Sequence, residues 1–228
     1  DIHPLKPLIV TGGVDQTAVV YDIKENRKVN VLEGHESSVN TVRFHDSDAI
    51  FTGSDDTTVK VWTPSNNGYE CNQTFEDHKA PVTAVEVHPT GSYLLSSSRD
   101  SSWSFYDIEK GALLTKGMDP ERAPFSSLNI HPDGVIFATG TEGHVVRVWD
   151  LRNQENVATF AHQGSVRTID FSENGYYLTS GSEDNTVKVW DLRGPSNVST
   201  LLLEESPTRV KYDSTGTYLA VAVSHEVR

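Results

Sequence analysis

The 228-residue chain has one cysteine, Cys71, and one methionine. A single cysteine excludes an internal disulfide framework and fits a reducing compartment. No apolar run approaches the roughly 18 residues of a membrane span, so no membrane role is expected. No charged-then-apolar leader opens the chain, nor does an initiator methionine; it begins Asp1-Ile2-His3, which reads as a start inside a longer protein. Basic residues are scarce, 19 Lys and Arg against 32 Asp and Glu, for a net charge of −13. Such a surface repels phosphate, so direct sequence-specific nucleic-acid binding is not expected. The charge points instead to solubility and to a basic protein partner. The two glycosylation tripeptides, Asn72-Gln73-Thr74 and Asn197-Val198-Ser199, are of a kind that arises often by chance and would go unused in a reducing compartment.

What the chain does contain raises a catalytic question. The stretch SGSEDNTVKVWDLR at 180–193 holds Ser180, two acids and Trp190, with His162 eighteen residues upstream of Ser180. Serine, histidine and aspartate are the parts of a hydrolase. Internal repetition answers the question. Aromatic residues Tyr21, Trp62, Tyr106, Trp149 and Trp190 close successive apolar runs, 41, 44, 43 and 41 residues apart. Six residues before each stand Asp15, Asp56, Asp100, Gly143 and Asp184, and four before those Thr11, Thr52, Ser96, Thr139 and Ser180. His35, His78 and His162 keep the same beat, and His3, His45, His88 and His131 form a second series spaced 42, 43 and 43. A nucleophile is needed once, whereas this set recurs with threonine replacing serine freely. No catalytic residue, metal site or cofactor is expected, because histidines spread one per repeat are not clustered as ligands must be.

Each period reads as four short strands, for example Val29 to Leu32, Val39 to Phe44, Ala49 to Thr52 and Val59 to Trp62, rich in β-branched and aromatic residues. His88-Pro89-Thr90-Gly91, His131-Pro132-Asp133-Gly134, Ser172-Glu173-Asn174-Gly175 and Asp213-Ser214-Thr215-Gly216 are hairpin turns with glycine where φ must be positive. No helix of consequence is visible. The expected fold is all-β, an antiparallel four-stranded meander repeated along the chain.

Four strands per roughly 42 residues with a Trp-Asp ending is the WD-repeat pattern, and the chain resembles the WD40 β-propeller family over its length. The resemblance implies a partial blade over 1–33, blades over about 34–76, 77–119, 120–161 and 162–203, and a partial blade over 204–228: an incomplete propeller, seven-bladed in the parent protein. It also implies buried tetrads, His35/Thr52/Asp56/Trp62, His78/Ser96/Asp100/Tyr106 and His162/Ser180/Asp184/Trp190. The chemistry is consistent, since histidine can link the aspartate to the hydroxyl and the hydroxyl can accept from the indole N–H. The Trp149 repeat has Gly143 in place of the acid and no upstream Gly-His, so it is expected to rest on packing alone. The last repeat has Val221 and His225 at the hydroxyl and acid positions and is expected to lack a tetrad.

The ordered series His88 to Ser98, Trp103 to Ile108, His131 to Thr141, Asn156 to Phe160, Phe171 to Leu178, Trp190 to Arg193 and Gly216 to Ala220 is similar to the propeller of the pre-mRNA-processing factor 19 family, spliceosome-associated U-box ubiquitin ligases. That resemblance implies a nuclear protein in pre-mRNA splicing, spliceosome activation and DNA-damage response. Its partners would be spliceosomal and ubiquitination-substrate proteins. The U-box and the tetramerising coiled coil of such parents are not expected within these residues, so this region is expected not to be an enzyme. In WD propellers the residue before each tetrad acid faces one end of the channel: Val14, Asp55, Arg99, Glu142 and Glu183, a mainly acidic rim for a basic or mixed-charge peptide, with Glu36, Lys79 and Gln163 beside it. On the opposite face Tyr176 is a further candidate for partner contact, since tyrosine is enriched at interface hot spots. Two Trp-Asp-x-Arg boxes, Trp149 to Arg152 and Trp190 to Arg193, leave a cullin-ligase substrate receptor as the alternative.

Overall fold

The computed structural model describes residues 1–66, 68–194 and 196–223. Its contacts divide the chain into two compact units, Asp1–Asp119 and Pro120–Arg228. The first holds three antiparallel sheets: β1 (Leu8–Gly12), β2 (Ala18–Asp22) and β3 (Arg27–Leu32); β4 (Val39–Phe44), β5 (Ile50–Ser54), β6 (Val59–Ser65) and β7 (Gly68–Phe75); and β8 (Val82–Val87), β9 (Tyr93–Ser98), β10 (Ser102–Asp107) and β11 (Ala112–Met118). The second holds β12 (Phe125–Ile130), β13 (Ile136–Thr141), β14 (Val145–Asp150) and β15 (Glu155–Ala161); β16 (Val166–Phe171), β17 (Tyr177–Ser182), β18 (Thr186–Asp191) and β19 (Ser196–Leu202); and β20 (Arg209–Tyr212) with β21 (Leu219–Ala222). Each sheet is a meander in which sequence neighbours pair. The described residues contain no helix, as the β-branched alternation predicts.

Turn chemistry closes the hairpins. Gly91, Gly134, Gly175 and Gly216 all have φ between +66° and +73°, and Asp48 takes the same conformation at +67° in the β4–β5 turn, a conformation aspartate tolerates better than most residues. At the other end of the sheets the residue after each repeat-locked acid position, Gln16, Thr57, Ser101, His144 and Asn185, also has positive φ.

The cores lie between successive sheets within each unit. Val10, Val20 and Leu32 meet Val42, Phe44 and Trp62. Phe51, Val59 and Phe75 meet Val85, Leu94 and Tyr106, with the Phe75 and Tyr106 rings stacked at 4.2 Å. In the second unit Val148 and Phe160 meet Ile169, Leu178 and Trp190, with Phe160 stacked on Trp190 at 4.6 Å, and Val187 meets Val210 and Val221. Each fully buried side chain of this kind contributes about 1.5–3 kcal/mol, so within each unit successive sheets depend on one another to cover their apolar faces. β5, β9, β13 and β17 are buried at every position except, in the last three, the first, whereas β19 is exposed at every position.

Candidate functional site

The tetrads are assembled by strand register. His35 precedes β4, Thr52 lies on β5, Asp56 sits in the β5–β6 turn and Trp62 lies on β6 where its pairing with β7 shifts register between Val61 and Trp62 through a bulge on β7. The same shift recurs between Val20 and Tyr21, Phe105 and Tyr106, Val148 and Trp149, and Val189 and Trp190. The extra residue in each case, Val29, Asn72, Leu114, Val157 or Val198, lies on the last strand of the sheet and is exposed, so it is the outer strand that bulges opposite the aromatic. Trp62 Nε1 donates to Thr52 Oγ1 at 2.9 Å, and Thr52 Oγ1 lies 2.6 Å from His35 Nε2. His35 Nδ1 is 2.7 Å from Asp56 Oδ2. The carboxylate can only accept, so the neutral ring carries its proton on Nδ1 and takes the threonine proton on Nε2. Asp56 also accepts the Glu36 N–H at 2.9 Å and the Thr58 N–H at 2.9 Å, and so fixes the tight turn at Thr57.

The β16–β19 sheet repeats this. His162 Nε2 is 2.7 Å from Ser180 Oγ, Trp190 Nε1 donates to that oxygen at 2.8 Å, and His162 Nδ1 lies 3.1 Å from Asp184. Thr52, Ser96 and Ser180 are fully buried. A hydroxyl sealed from solvent and already accepting an indole proton cannot attack a substrate; its work is to satisfy two buried groups that would otherwise cost about 1–3 kcal/mol each.

Two expectations need correction. Tyr106 does not close its tetrad. His78 Nε2 is 2.6 Å from Ser96 Oγ and Nδ1 is 3.3 Å from Asp100, but the buried Tyr106 hydroxyl makes no hydrogen bond, although Ser104, Ser96 and Asp77 stand close enough to influence its ionisation. The cause is shape: an indole N–H projects from the flank of its ring, a phenol hydroxyl from its tip. Burial pushes the phenol up to about 12. Tyr106→Phe should therefore raise stability or leave it unchanged, by up to about 1 kcal/mol, read as the urea midpoint; a loss above that would show that the hydroxyl is bonded after all.

The second correction concerns the β12–β15 sheet, which does not rest on packing alone. Trp149 Nε1 donates to Thr139 Oγ1 at 2.9 Å, so the indole–hydroxyl half of the tetrad persists. Gly143 stands where the acid would be because a Cβ there would lie 2.8 Å from the Ala123 Cβ. The turn-fixing bond passes to Thr141, whose Oγ1 accepts the Val145 N–H at 3.2 Å. Arg147 pairs with Glu121 at 3.2 Å, Glu121 lying four residues before Phe125 as His35 lies four before Val39. In the last repeat Val221 is buried, and His225 lies outside the described residues.

The tetrads make stability acid-sensitive. For Asp56 and Asp184 burial opposes the charge, but hydrogen bonds from Thr58 and Glu36, and from Thr186 and Gln163, together with the histidines, outweigh it and hold both carboxyls at about 2. Burial likewise lowers His35 and His162, against the pull of their aspartates. In each case the unfolded chain binds more protons, so stability falls as pH drops. The decline should begin below the histidine reference value of about 6.5 and steepen between about 4 and 2. Melting temperature against pH checks this, and a flat profile from pH 7 to 3 contradicts it.

The rim residues are anchored by the same turns. Asp55, Arg99, Glu142 and Glu183 each donate a backbone N–H to the segment before the first strand of their sheet, on Ser38, Pro81, Pro124 and Ser165. Asp55 is exposed and accepts from Asn40 Nδ2 at 2.7 Å. Arg99 and Glu183 are exposed and Glu142 is half-buried; Glu183 pairs with Arg167 at 2.5 Å. Val14 is 87% exposed. The amides of Glu36, Lys79 and Gln163 are held by the carboxylates of Asp56, Asp100 and Asp184. In the first unit a cleft of about 390 Å³ opens beside Asp56, lined by Gly34, Glu36, Thr57, Thr58, Lys60 and Glu76; the spacing of the motifs gives no sign of it. No group of three or more metal-ligating side chains occurs among the described residues.

Tyr176 is half exposed, with the Arg193 guanidinium 4.8 Å from its ring centre. Arg193 is held by Asp191 through bonds of 2.9 and 2.6 Å, as Arg152 is held by Asp150 at 3.2 and 2.7 Å. Those arginines hold Asp150 and Asp191 at about 2. In both Trp-Asp-x-Arg boxes the arginine folds back on its own aspartate.

A family model described as the IFT122 first beta-propeller matches residues 2–227. Pre-mRNA-processing factor 19 homolog 2 of Arabidopsis thaliana is 42% identical over 179 residues, 77% of this chain and 34% of the relative. Pre-mRNA-processing factor 19 of Mus musculus is 42% identical over 166 residues, 72% and 32%, and that of Dictyostelium discoideum 34% identical over 178 residues, 74% and 34%. The chain spans about a third of the length of these curated relatives. The comparisons agree with the sheet geometry on the kind of domain: this chain belongs to the WD40 β-propellers of the family described as the IFT122 first beta-propeller, and pre-mRNA-processing factor 19 proteins are among its curated relatives.

Proposed function

We propose that this chain is the protein-interaction and substrate-recognition propeller of a splicing-associated U-box E3 ubiquitin ligase, acting in the nucleus in spliceosome activation and the DNA-damage response. The observation that carries the reading is the 42% identity, over about three quarters of the chain, to relatives named for pre-mRNA processing. The site chemistry supports a binding role. Its hydroxyls and histidines are committed to internal bonds, and its outward residues are mainly acidic. In this reading ligase chemistry belongs to a U-box and tetramerisation to a coiled coil, both elsewhere in the parent protein. The partners are spliceosomal and substrate proteins offering basic or mixed-charge segments. The cullin-receptor alternative draws no support from the Trp-Asp-x-Arg boxes, because both guanidinium groups are taken by Asp150 and Asp191.

The test is affinity purification of the full-length protein from nuclear extract, alone and with Asp55→Lys or Glu183→Lys. Recovery of splicing-complex proteins, reduced about tenfold by at least one reversal, the equivalent of about 1.4 kcal/mol of binding, with an unchanged melting temperature, is the expected result. Recovery of cullin adaptors without splicing proteins would overturn the assignment.

A further inference from the structure

The second histidine series has no part in the tetrads, yet it is as regular. In the first unit His45 Nε2 lies 2.8 Å from the carbonyl oxygen of Gly91, in the hairpin turn of the next sheet. In the second unit His131 Nε2 lies 2.9 Å from the carbonyl oxygen of Gly175, again one sheet on. His3 reaches the equivalent turn position, with Nε2 2.8 Å from Asp48 Oδ1. These glycines leave room for the ring: a Cβ on Gly91 would sit 2.8 Å from His45 Nε2, and one on Gly175 2.6 Å from His131 Nε2. The other ring nitrogen faces its own turn. His45 Nδ1 accepts the Ser47 N–H at 3.0 Å, and His3 Nδ1 the Leu5 and Lys6 N–H groups at 3.0 and 3.1 Å; His131 Nδ1 stands 3.2 Å from the Asp133 amide nitrogen and 2.7 Å from its carboxylate Oδ1, so its partners do not select one tautomer.

We infer that His45 and His131 are sheet-to-sheet staples, and that His45, like His3, is locked as the Nε2–H tautomer, opposite to the Nδ1–H tautomer of His35 and His162. A carbonyl oxygen only accepts and a backbone N–H only donates, so the two partners of His45 place its proton on Nε2. One ring thereby fixes its own hairpin and ties it to the next, at the end of the sheets away from the tetrads. The tetrads brace the β4–β7 and β16–β19 sheets internally, and within each unit a turn histidine braces one sheet against its neighbour, β4–β7 against β8–β11 and β12–β15 against β16–β19. The β16–β19 hairpin shows what happens without one: Ser172 spends its hydroxyl on Asn174 and on Tyr177 of its own turn.

Long-range proton–nitrogen correlation spectra of the full-length protein separate the tautomers without any substitution. His45 and His3 should show a protonated Nε2 and an unprotonated Nδ1, with His35 and His162 reversed; the same tautomer in both series overturns the inference. His45→Ala should speed amide exchange at His88 and Gly91, the two ends of the stapled turn, about tenfold, the effect of losing roughly one hydrogen bond. His45→Gln, whose amide can still donate to the Gly91 carbonyl, should restore most of the protection. Exchange at that turn unchanged in the alanine variant would leave the ring as packing and refute the staple.

Discussion

Thr52→Val should destabilise the protein by about 2–6 kcal/mol although it changes the side-chain volume hardly at all. The size follows from what one oxygen does. Thr52 Oγ1 accepts from Trp62 Nε1 and stands 2.6 Å from His35 Nε2. Both partners are buried, Trp62 at 2% and His35 at 6% exposure. Valine leaves no cavity, but it strands an indole donor and an imidazole acceptor away from water, at about 1–3 kcal/mol each. Thr52→Ser keeps the oxygen and loses one methyl, about 0.8 kcal/mol, as the serines of the β8–β11 and β16–β19 tetrads already do. Thr139→Val should cost about half as much as Thr52→Val, because Thr139 serves Trp149 in a sheet that has no histidine at the tetrad position. Urea unfolding of the three variants decides the matter. If valine at 52 is tolerated as well as serine, the tetrad is not what holds the sheet.

The series also shows which parts of the site the sequence reveals. The hydroxyl, acid, histidine and aromatic positions are visible because the same chemistry recurs at the same spacing, and repetition cancels the ambiguity of any one residue. What depends on ring geometry is not visible. Tyr106 occupies the aromatic position of its repeat, and only coordinates show that a phenol cannot place its donor where an indole does. The persistence of the Trp149–Thr139 bond is hidden for the converse reason: the missing acid at Gly143 says nothing about a contact made by two other residues. The turn histidines are regular in sequence, but their partners are backbone carbonyls, which carry no residue signature. The arginines of the Trp-Asp-x-Arg boxes look free in sequence, since nothing there distinguishes a guanidinium aimed at solvent from one folded onto the aspartate two residues back.

The largest effect hidden from the repeat pattern is a reversal of volumes across one strand pair. On the third and fourth strands of their sheets, Val59 faces Phe75, Val146 faces Phe160 and Val187 faces Leu201, small opposite large, as Ala18 faces Leu32 on β2 and β3. In the β8–β11 sheet the pair is Trp103 facing Gly117. Trp103 is fully buried, and its ring covers the place a Gly117 side chain would take: a Cβ there would lie 2.3 Å from Trp103 Cε2 and Cζ2. The indole is packed and cannot retreat, so Gly117→Ala should cost about 1–3 kcal/mol as overpacking, and Gly117→Phe should leave little folded protein. Trp103→Val alone opens a cavity and should cost about 3–5 kcal/mol. Together, Trp103→Val and Gly117→Phe rebuild the valine–phenylalanine pair of β6 and β7, and the double variant should be more stable than either single one. The expected coupling is favourable by about 2–3 kcal/mol, at the upper end for residues in direct contact. It is measured from the four unfolding midpoints, with Gly117→Ala standing in if Gly117→Phe does not fold. Strict additivity would mean that the two residues do not share one volume and that the bare backbone at position 117 has another cause.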